Sequence, residues 1–223
     1  MIIMKKIIFI IAAALVLITG ACGENAAVNN SIVHDPAEQI TDPQEALNLL
    51  REGNKRYIEN KTITRETNAE DREILKDGQQ PFAVIVTCSD SRVSPEIYFD
   101  QKHGDIFVVR NAGNIADYSA LGSIEYAVEH LRAPLVVVVG HSRCGAVGGA
   151  FSGGEYSENL QAVIGDIASV IKDAENIDEA IYANIDGVCK IIEENKVVAE
   201  TGAVVLGAYY NIESGEVIFY NAE

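Results

Sequence analysis

The chain has 223 residues, and 48% of them are hydrophobic, which is enough for one sizeable core. Its 33 acidic residues outnumber its 17 basic residues and give a formal net charge of −16, which argues against binding to nucleic acid or to anionic lipid headgroups. The composition therefore predicts a single acidic domain with no nucleic-acid partner.

The first 21 residues have the pattern of an export signal. Two lysines within residues 1–6 precede an apolar run over 7–17, and small residues follow before Cys22. The apolar run is too short for a comfortable membrane span. We therefore predict a signal peptide over 1–21 and export of the rest of the chain.

The sequence LITGAC at the end of this segment resembles the lipobox of bacterial lipoproteins. In a lipobox the signal peptidase cuts before the cysteine, and the cysteine then takes a lipid. The resemblance implies that lipid on Cys22 anchors the protein to the bacterial cell envelope, at the outer face of the cell membrane or in the periplasm. The alternative is a plain secretory signal cut near Ala21, because Thr19 stands where the lipobox usually has leucine.

Residues 22–36 are polar and weakly patterned, so we predict a tether that precedes a folded domain over 37–223. In that domain, strand-like and helix-like segments alternate. Short continuous apolar runs, typical of strands buried on both faces, cover residues 82–87, 106–109, 135–139 and 203–208. Helix-like segments cover residues 120–131 and about 159–195.

The alternation of these segments indicates the fold class. Helices between buried strands predict a parallel sheet with crossover connections. Residues 217–220 follow the turn-like sequence ESGE and predict an antiparallel edge strand. We therefore predict an α/β fold with a mostly parallel central sheet of four strands plus one antiparallel edge strand, flanked by helices.

Potential metal ligands follow two of the predicted strands. The first strand runs into VTCSDSRV, which contains Cys88, and the third runs into GHSRCG, which contains His141 and Cys144. Open α/β sheets bind ligands beyond the carboxyl ends of their strands. If these two strands are neighbours, two thiolates and one imidazole converge, and this set suits a catalytic zinc with an open fourth position. We predict one Zn²⁺ per subunit.

Other roles are open to these residues. A disulfide between Cys88 and Cys144 is possible in an exported protein, although it leaves His141 without a function, and a lone histidine there would more often be a turn residue. If Cys22 is lipidated, three cysteines remain, so they cannot all pair within the chain. Cys189, in a helical pattern, is predicted to be a buried structural thiol.

Four segments together resemble the β-class carbonic anhydrases. They are CSDSRV, FVVRNAGN, SIEYAV and GHSRCGAV, and the resemblance extends over about residues 47–220. It implies a zinc lyase that interconverts carbon dioxide and bicarbonate. It also implies a homodimer or a tetramer built on a mostly parallel sheet.

The resemblance also implies roles for individual residues. Cys88, His141 and Cys144 stand at the zinc-ligand positions, and Asp90 and Arg92 form the catalytic pair. The substrate-site positions are Gln79, Phe107, Ala112, Tyr126 and the backbone amide of Gly145. In the family, two of the pocket positions are reached across the dimer. The alternatives are that Gln79 is an ordinary loop residue and that Phe107 and Tyr126 belong to the core.

The predicted mechanism begins with a water on zinc, whose pKa falls from about 15.7 to about 7. The resulting hydroxide attacks carbon dioxide. Two thiolates cancel the formal charge of the metal, so the bound water is acidified less than it would be at a site of three histidines. We therefore expect faster hydration of carbon dioxide at mildly alkaline pH. Asp90 orients the water while Arg92 holds the carboxylate off the metal. Alternatively, Asp90 only binds turn amides ahead of a helix that Ser94 caps.

A possible regulatory site lacks one of its residues. Some β-class enzymes close when the aspartate binds the metal, a state favoured by bicarbonate in a pocket made of tryptophan, valine and arginine. Val93 and Arg110 match two of these positions, but Ile85 stands at the third and the chain contains no tryptophan. We therefore expect the open form, with Asp90 held by Arg92.

Two other functions stay open. Some relatives with this kind of site hydrolyse carbon disulfide or carbonyl sulfide, and access to the pocket decides the substrate. A non-catalytic zinc-binding or solute-binding lipoprotein is the other alternative. Such a protein has no evident need for the pair of Asp90 and Arg92.

Overall fold

The computed structural model of the chain describes residues 39–63 and 68–220. The predicted signal peptide, Cys22 and the tether lie outside these residues. None of the helices in the two described ranges is both long and apolar enough to cross a membrane.

Within the described residues, five strands form one sheet in the order β2-β1-β3-β4-β5. The strands are β1 (Ala83–Cys88), β2 (Ile106–Asn111), β3 (Leu135–His141), β4 (Val204–Tyr210) and β5 (Val217–Tyr220). The first four are parallel, and β5 pairs antiparallel with β4. The predicted fold class is therefore confirmed.

The burial of the strands follows their sequences. All residues of β1 and β3 are buried, as expected for apolar runs covered on both faces. Strand β2 lies at an edge and is only partly buried. Strands β1 and β3 extend beyond the predicted runs, because backbone pairing continues past their apolar residues. Ser89 N–H, after β1, donates to the Asn111 carbonyl, and Ser142 N–H, after β3, donates to the Tyr210 carbonyl. This extension brings Cys88 and His141 into the ends of the strands.

Helices cover both faces of the sheet and connect its strands. They are α1 (Pro43–Ile58), α2 (Ala69–Leu75), α3 (Pro95–Tyr98), α4 (Tyr118–Glu125), α5 (Gly145–Ser152), α6 (Glu158–Val170), α7 (Ile177–Glu193) and α8 (Lys196–Thr201). A 3₁₀ turn (Ala112–Asn114) follows β2, and α4 continues into a π-helical turn (Tyr126–His130). Ser94 is the N-cap residue of α3, Pro95 begins the helix and Glu96 lies in its first turn, as predicted, although the Ser94 side chain makes no capping hydrogen bond.

The long helical stretch predicted over about 159–195 is mostly helical, but the structure divides it into α6 and α7. Helix α6 ends at Val170, and the side chain of Asn176 caps the new helix by accepting a hydrogen bond from Glu179 N–H at 3.0 Å. Asparagine favours such caps because its side chain competes for backbone amides. Helix α7 packs on β3 and β4.

The strand order defines a crevice at the carboxyl end of the sheet. From β1 the chain first crosses to β2 on one side and then to β3 on the other. Such a switch point is where open α/β sheets leave room for a ligand. The residues that end β1 and β3 therefore face one crevice. The two strands are neighbours, which is the condition for Cys88, His141 and Cys144 to converge.

Candidate metal centre

The predicted ligands converge at this switch point. The ligand atoms of Cys88, His141 and Cys144 all lie within 4.8 Å of one another, and all three residues are buried. Cys88 ends β1, His141 ends β3, and Cys144 immediately precedes α5. The turn between His141 and Cys144 thus returns the second thiol to the same crevice.

The imidazole of His141 is oriented as a metal ligand. Its Nδ1 lies 3.0 Å from the carbonyl oxygen of Ser142, which makes Nδ1–H the donor and leaves Nε2 with a lone pair. Nε2 is buried and has no hydrogen-bond partner among the described residues. An unsatisfied buried acceptor costs about 1–3 kcal/mol. A bound metal ion removes this cost, and metal-bound histidines usually donate their other N–H in this way.

The two thiols are free, which does not support the alternative of a disulfide. A hydrogen bond from Cys144, together with one from the Gly113 amide, lowers the pKa of Cys88 to about 4. The Cys88 sulfur and burial in turn raise the pKa of Cys144 well above its usual range. Two thiolates within 4.8 Å of each other repel, so a positive charge between them is needed for both to be ionised, and the donor set fits a divalent, borderline-soft metal such as zinc.

The third free thiol lies elsewhere. Cys189 on α7 is half-buried rather than fully buried as predicted. Burial raises its pKa to about 12, so it stays a protonated and unreactive thiol. It takes no part in the cluster.

Asp90 and Arg92 form a two-pronged ion pair next to the cluster. Arg92 donates from Nε to Oδ1 at 2.9 Å and from Nη2 to Oδ2 at 2.6 Å. These hydrogen bonds hold the pKa of Asp90 well below its usual range. Oδ1 also accepts the Arg92 backbone N–H at 2.9 Å, so the turn contact and the ion pair coexist. The carboxylate is charged and fixed by Arg92.

Arg110 supports the loop that carries these residues. Its Nε donates to the Cys88 carbonyl at 3.2 Å, and its Nη2 donates to the Asp90 carbonyl at 2.8 Å. Sequence reasoning matched Arg110 only to a bicarbonate pocket and missed this role. This role follows from the strand register, because Arg110 of β2 pairs with Thr87 of β1 and so lies beside Cys88.

Two of the predicted substrate-site residues lie beside the cluster. Ala112 begins the 3₁₀ turn after β2, and the next amide, Gly113 N–H, donates to Cys88 Sγ at 3.4 Å. Gly145 follows Cys144 as the first residue of α5. A Cβ atom on Gly145 would meet no other atom within 4 Å, so the space beside its backbone is open.

The other three predicted residues are not brought to the cluster within one chain. Phe107 pairs with Val84, four residues before the end of β2, and this separation corresponds to about 13 Å along the strand. The Tyr126 ring lies 6.2 Å from the Phe107 ring. Gln79 is exposed and precedes β1, beyond its amino end. Tyr126 is 47% exposed, so the alternative that places it in the core is wrong.

Phe107 and Tyr126 instead line an open groove of about 540 Å³ at the β2 edge of the sheet. Tyr118 and Leu121 also line it, and Tyr118 is 93% exposed. Exposed aromatic residues beside an edge strand are typical of a protein–protein contact. We call this surface, formed by β2 and α4, the β2 edge.

Comparisons with known proteins agree with this geometry. The family profile described as carbonic anhydrase matches residues 83–217. The chain therefore belongs to the carbonic anhydrase family. It is 28% identical to a tetrameric β-carbonic anhydrase from Sordaria macrospora, with a TM-score of 0.63 over 70% of this chain and 88% of that one. A β-carbonic anhydrase from Aspergillus fumigatus is also 28% identical, with a TM-score of 0.62 over 69% and 82% of the two chains.

Curated relatives extend the same result. Carbonic anhydrase 2 of Mycobacterium tuberculosis is 49% identical over 112 residues, which are 50% of this chain and 54% of the relative. A carbonic anhydrase of Mycolicibacterium smegmatis is 43% identical over 127 residues, 57% and 62% of the two chains. The chain thus spans between half and two thirds of the length of these relatives.

Proposed function

We propose that the protein is a zinc-dependent carbonic anhydrase that interconverts carbon dioxide and bicarbonate, with one Zn²⁺ per subunit. The observation that carries this proposal is the buried cluster of Cys88, His141 and Cys144, in which His141 Nε2 has no other partner in the described part of the chain. Zinc bound there would supply the positive charge that makes water a nucleophile at nearly neutral pH.

Asp90 serves this reaction by accepting a hydrogen bond from the attacking water. Its carboxylate is ionised and is fixed by two hydrogen bonds from the Arg92 guanidinium. An acceptor that is held in place orients a lone pair of the water toward carbon dioxide without reorganisation during the reaction. Arg92 also keeps the carboxylate from becoming a fourth metal ligand.

The substrate side of the site is open and is incomplete within one chain. Ala112 supplies an apolar surface beside Cys88, and the Gly145 amide can donate to a substrate oxygen. Phe107 and Tyr126 reach the substrate only if they come from a second subunit, and Gln79 lies beyond the amino end of β1. We therefore infer a homodimer formed through the β2 edge, or a tetramer made of two such dimers. The Sordaria relative is described as tetrameric.

A stopped-flow assay of carbon dioxide hydration tests the activity. The purified full chain, loaded with zinc, is expected to accelerate hydration and to lose this activity when a chelator removes the metal. If the chain binds zinc but does not accelerate hydration, the proposal is wrong and a non-catalytic zinc protein replaces it. If it releases sulfide from carbon disulfide or carbonyl sulfide instead, the substrate assignment is wrong.

We further propose that the protein is exported and is held at the cell envelope by lipid on Cys22. The support is the sequence pattern LITGAC after a short apolar run. Cys22→Ser should move the protein from the membrane fraction to the soluble or unprocessed pool, as followed by fractionation and electrophoretic mobility. A variant that fractionates and migrates like the wild type would contradict lipidation.

A further inference from the structure

Asn184 is a buried polar residue that the proposed reaction does not use. It lies on α7 with only 1% of its surface exposed, on a helix face that it shares with Ile181, Ile185 and Val188. Its Nδ2 donates to the Gly113 carbonyl at 2.9 Å. Its Oδ1 is also buried and has no hydrogen-bond partner among the described residues. A half-satisfied amide in an apolar interface lowers stability relative to an apolar side chain of similar size, so stability alone does not account for an asparagine here.

The carbonyl that Asn184 binds belongs to the residue next to the metal ligand. Gly113 donates its N–H to Cys88 Sγ at 3.4 Å, so one residue connects α7 to the sulfur. Gly113 has a φ of +74°, in the left-handed region that favours glycine. A Cβ atom on it would lie 2.4 Å from Cδ1 of Ile167. Ile167 therefore leaves no room for a side chain at position 113, and Asn184 holds the carbonyl of this residue in the 3₁₀ turn.

This contact matters because of the charge on sulfur. Two thiolates cancel the formal charge of a divalent metal and so weaken its effect on a bound water. An N–H that points at one sulfur withdraws part of that charge and leaves the metal more electrophilic. The strength of this hydrogen bond depends on the direction of the Gly113 N–H. Asn184 binds the carbonyl of the next peptide unit, so it helps to set that direction by fixing the backbone on the other side of the Gly113 Cα.

We propose that Asn184 is a positioning residue that orients the Gly113 amide toward Cys88 Sγ and thereby limits electron donation from this thiolate to the metal. This inference rests on the proposed zinc enzyme. It concerns a residue that touches neither metal nor substrate. A test must therefore distinguish a role of Asn184 at the metal from a purely structural role in packing α7 on the sheet.

The chain offers a matched control in Asn54, a second buried asparagine that binds backbone groups. Asn54 Nδ2 donates to the carbonyls of Tyr98 and Gly215 at 2.9 and 2.8 Å, and its Oδ1 accepts from Val217 N–H at 2.9 Å. These contacts join α1 to α3, to the turn between β4 and β5, and to the first residue of β5, and none of them involves a predicted metal ligand. Asn54→Leu removes more hydrogen bonds than Asn184→Leu but leaves the sulfur contact in place.

The test uses the full-length chain with cobalt in place of zinc, because thiolate-to-cobalt charge-transfer absorption reports on sulfur directly. Loss of an N–H···S bond raises the energy of the sulfur lone pairs. Asn184→Leu should therefore shift this absorption to longer wavelength, and the zinc form should show about tenfold lower hydration kcat. Asn54→Leu should lower the unfolding temperature and leave the absorption at the wild-type wavelength.

Two results would overturn the inference independently of the proposed activity. An unshifted absorption in Asn184→Leu, with only a lower unfolding temperature, would make Asn184 purely structural. Equal shifts in both asparagine variants would lead to the same conclusion. If Asn184→Leu does not fold, Asn184→Ser takes its place, because serine is smaller and cannot reach the Gly113 carbonyl. The cobalt spectra decide the question even if the wild type proves not to hydrate carbon dioxide, so failure of the proposed activity is seen separately.

Discussion

The crevice at the carboxyl ends of β1 and β3 and the β2 edge are built in opposite ways. In the crevice, Cys88, His141 and Cys144 are buried, and the Cys88 sulfur and the His141 ring have orienting hydrogen bonds within the same chain. At the β2 edge, Tyr118 and Tyr126 are exposed around an open groove. The comparison supports the proposals made above: the residues proposed to bind the metal all come from one chain, whereas the proposed substrate pocket needs residues from a second chain.

Removing a metal ligand should have the largest effect, because each ligand is one of three. His141→Ala or Cys144→Ser is expected to reduce zinc from about one per chain to near zero and to abolish hydration activity. Metal analysis and the stopped-flow assay measure both. Cys189→Ser is the control and should keep its zinc, since Cys189 lies outside the cluster. Near-stoichiometric zinc with unaltered turnover in His141→Ala would remove the site assignment.

Breaking the ion pair should slow the reaction without removing the metal. Asp90→Asn and Arg92→Ala are each expected to lower kcat by about 10- to 100-fold at full zinc content, because the carboxylate is no longer both charged and fixed. The double variant should lose little more than either single variant, since the two groups act as a unit.

Arg143→Ala is the matched control for this pair. Its side chain is exposed, and only its backbone carbonyl contacts Arg92, at 3.3 Å. It should therefore keep a nearly wild-type kcat. Additive losses in the double variant would show that Asp90 and Arg92 act separately.

A charge placed on the β2 edge should separate metal binding from activity. Leu121→Glu introduces a carboxylate into the groove. In the unprocessed full chain it is expected to give a monomer of about 24 kDa with full zinc content and about tenfold lower kcat. Light scattering after size-exclusion chromatography gives the mass. Ile74→Glu, at an exposed apolar residue on α2 outside the groove, should leave mass and kcat unchanged. A fully active monomer would show that the pocket is complete in one chain.

The smallest expected effect is that of bicarbonate on the metal ligands. Ile85 replaces the indole donor of the regulatory pocket, and the Arg110 guanidinium already donates to the Cys88 and Asp90 carbonyls. X-ray absorption at the zinc edge should therefore be the same with and without bicarbonate at neutral pH. A carboxylate ligand that grows with bicarbonate, together with cooperative loss of activity, would place Asp90 on the metal.

The difference between the two regions also explains what could be predicted from the sequence. The strands were predictable because continuous apolar runs indicate burial directly. The clustering of Cys88, His141 and Cys144 was predictable because all three follow strand ends. The break between helices α6 and α7 was missed because the apolar pattern continues through it.

The remaining residues depend on partners that are distant in sequence. The roles of Arg110 and Asn184 arise from contacts with the carbonyls of Cys88, Asp90 and Gly113, which only the register and packing bring near. The places of Phe107 and Tyr126 depend on which end of the strand they occupy. Neither the long-range contacts nor the position of a residue along its strand relative to the site can be read from residue type or from the local periodicity of apolar residues.

The contacts of Asn54 constrain the order in which the chain folds. This residue near the beginning of the described chain binds Gly215 and Val217, which are 161 and 163 residues away. Helix α1 therefore cannot complete its docking until the last strand of the sheet has been synthesised. Contacts with such large sequence separation slow folding because the connecting chain must first be closed into a loop. We expect fragments that end before β5 to leave α1 undocked, so the final stage of folding follows completion of the whole domain.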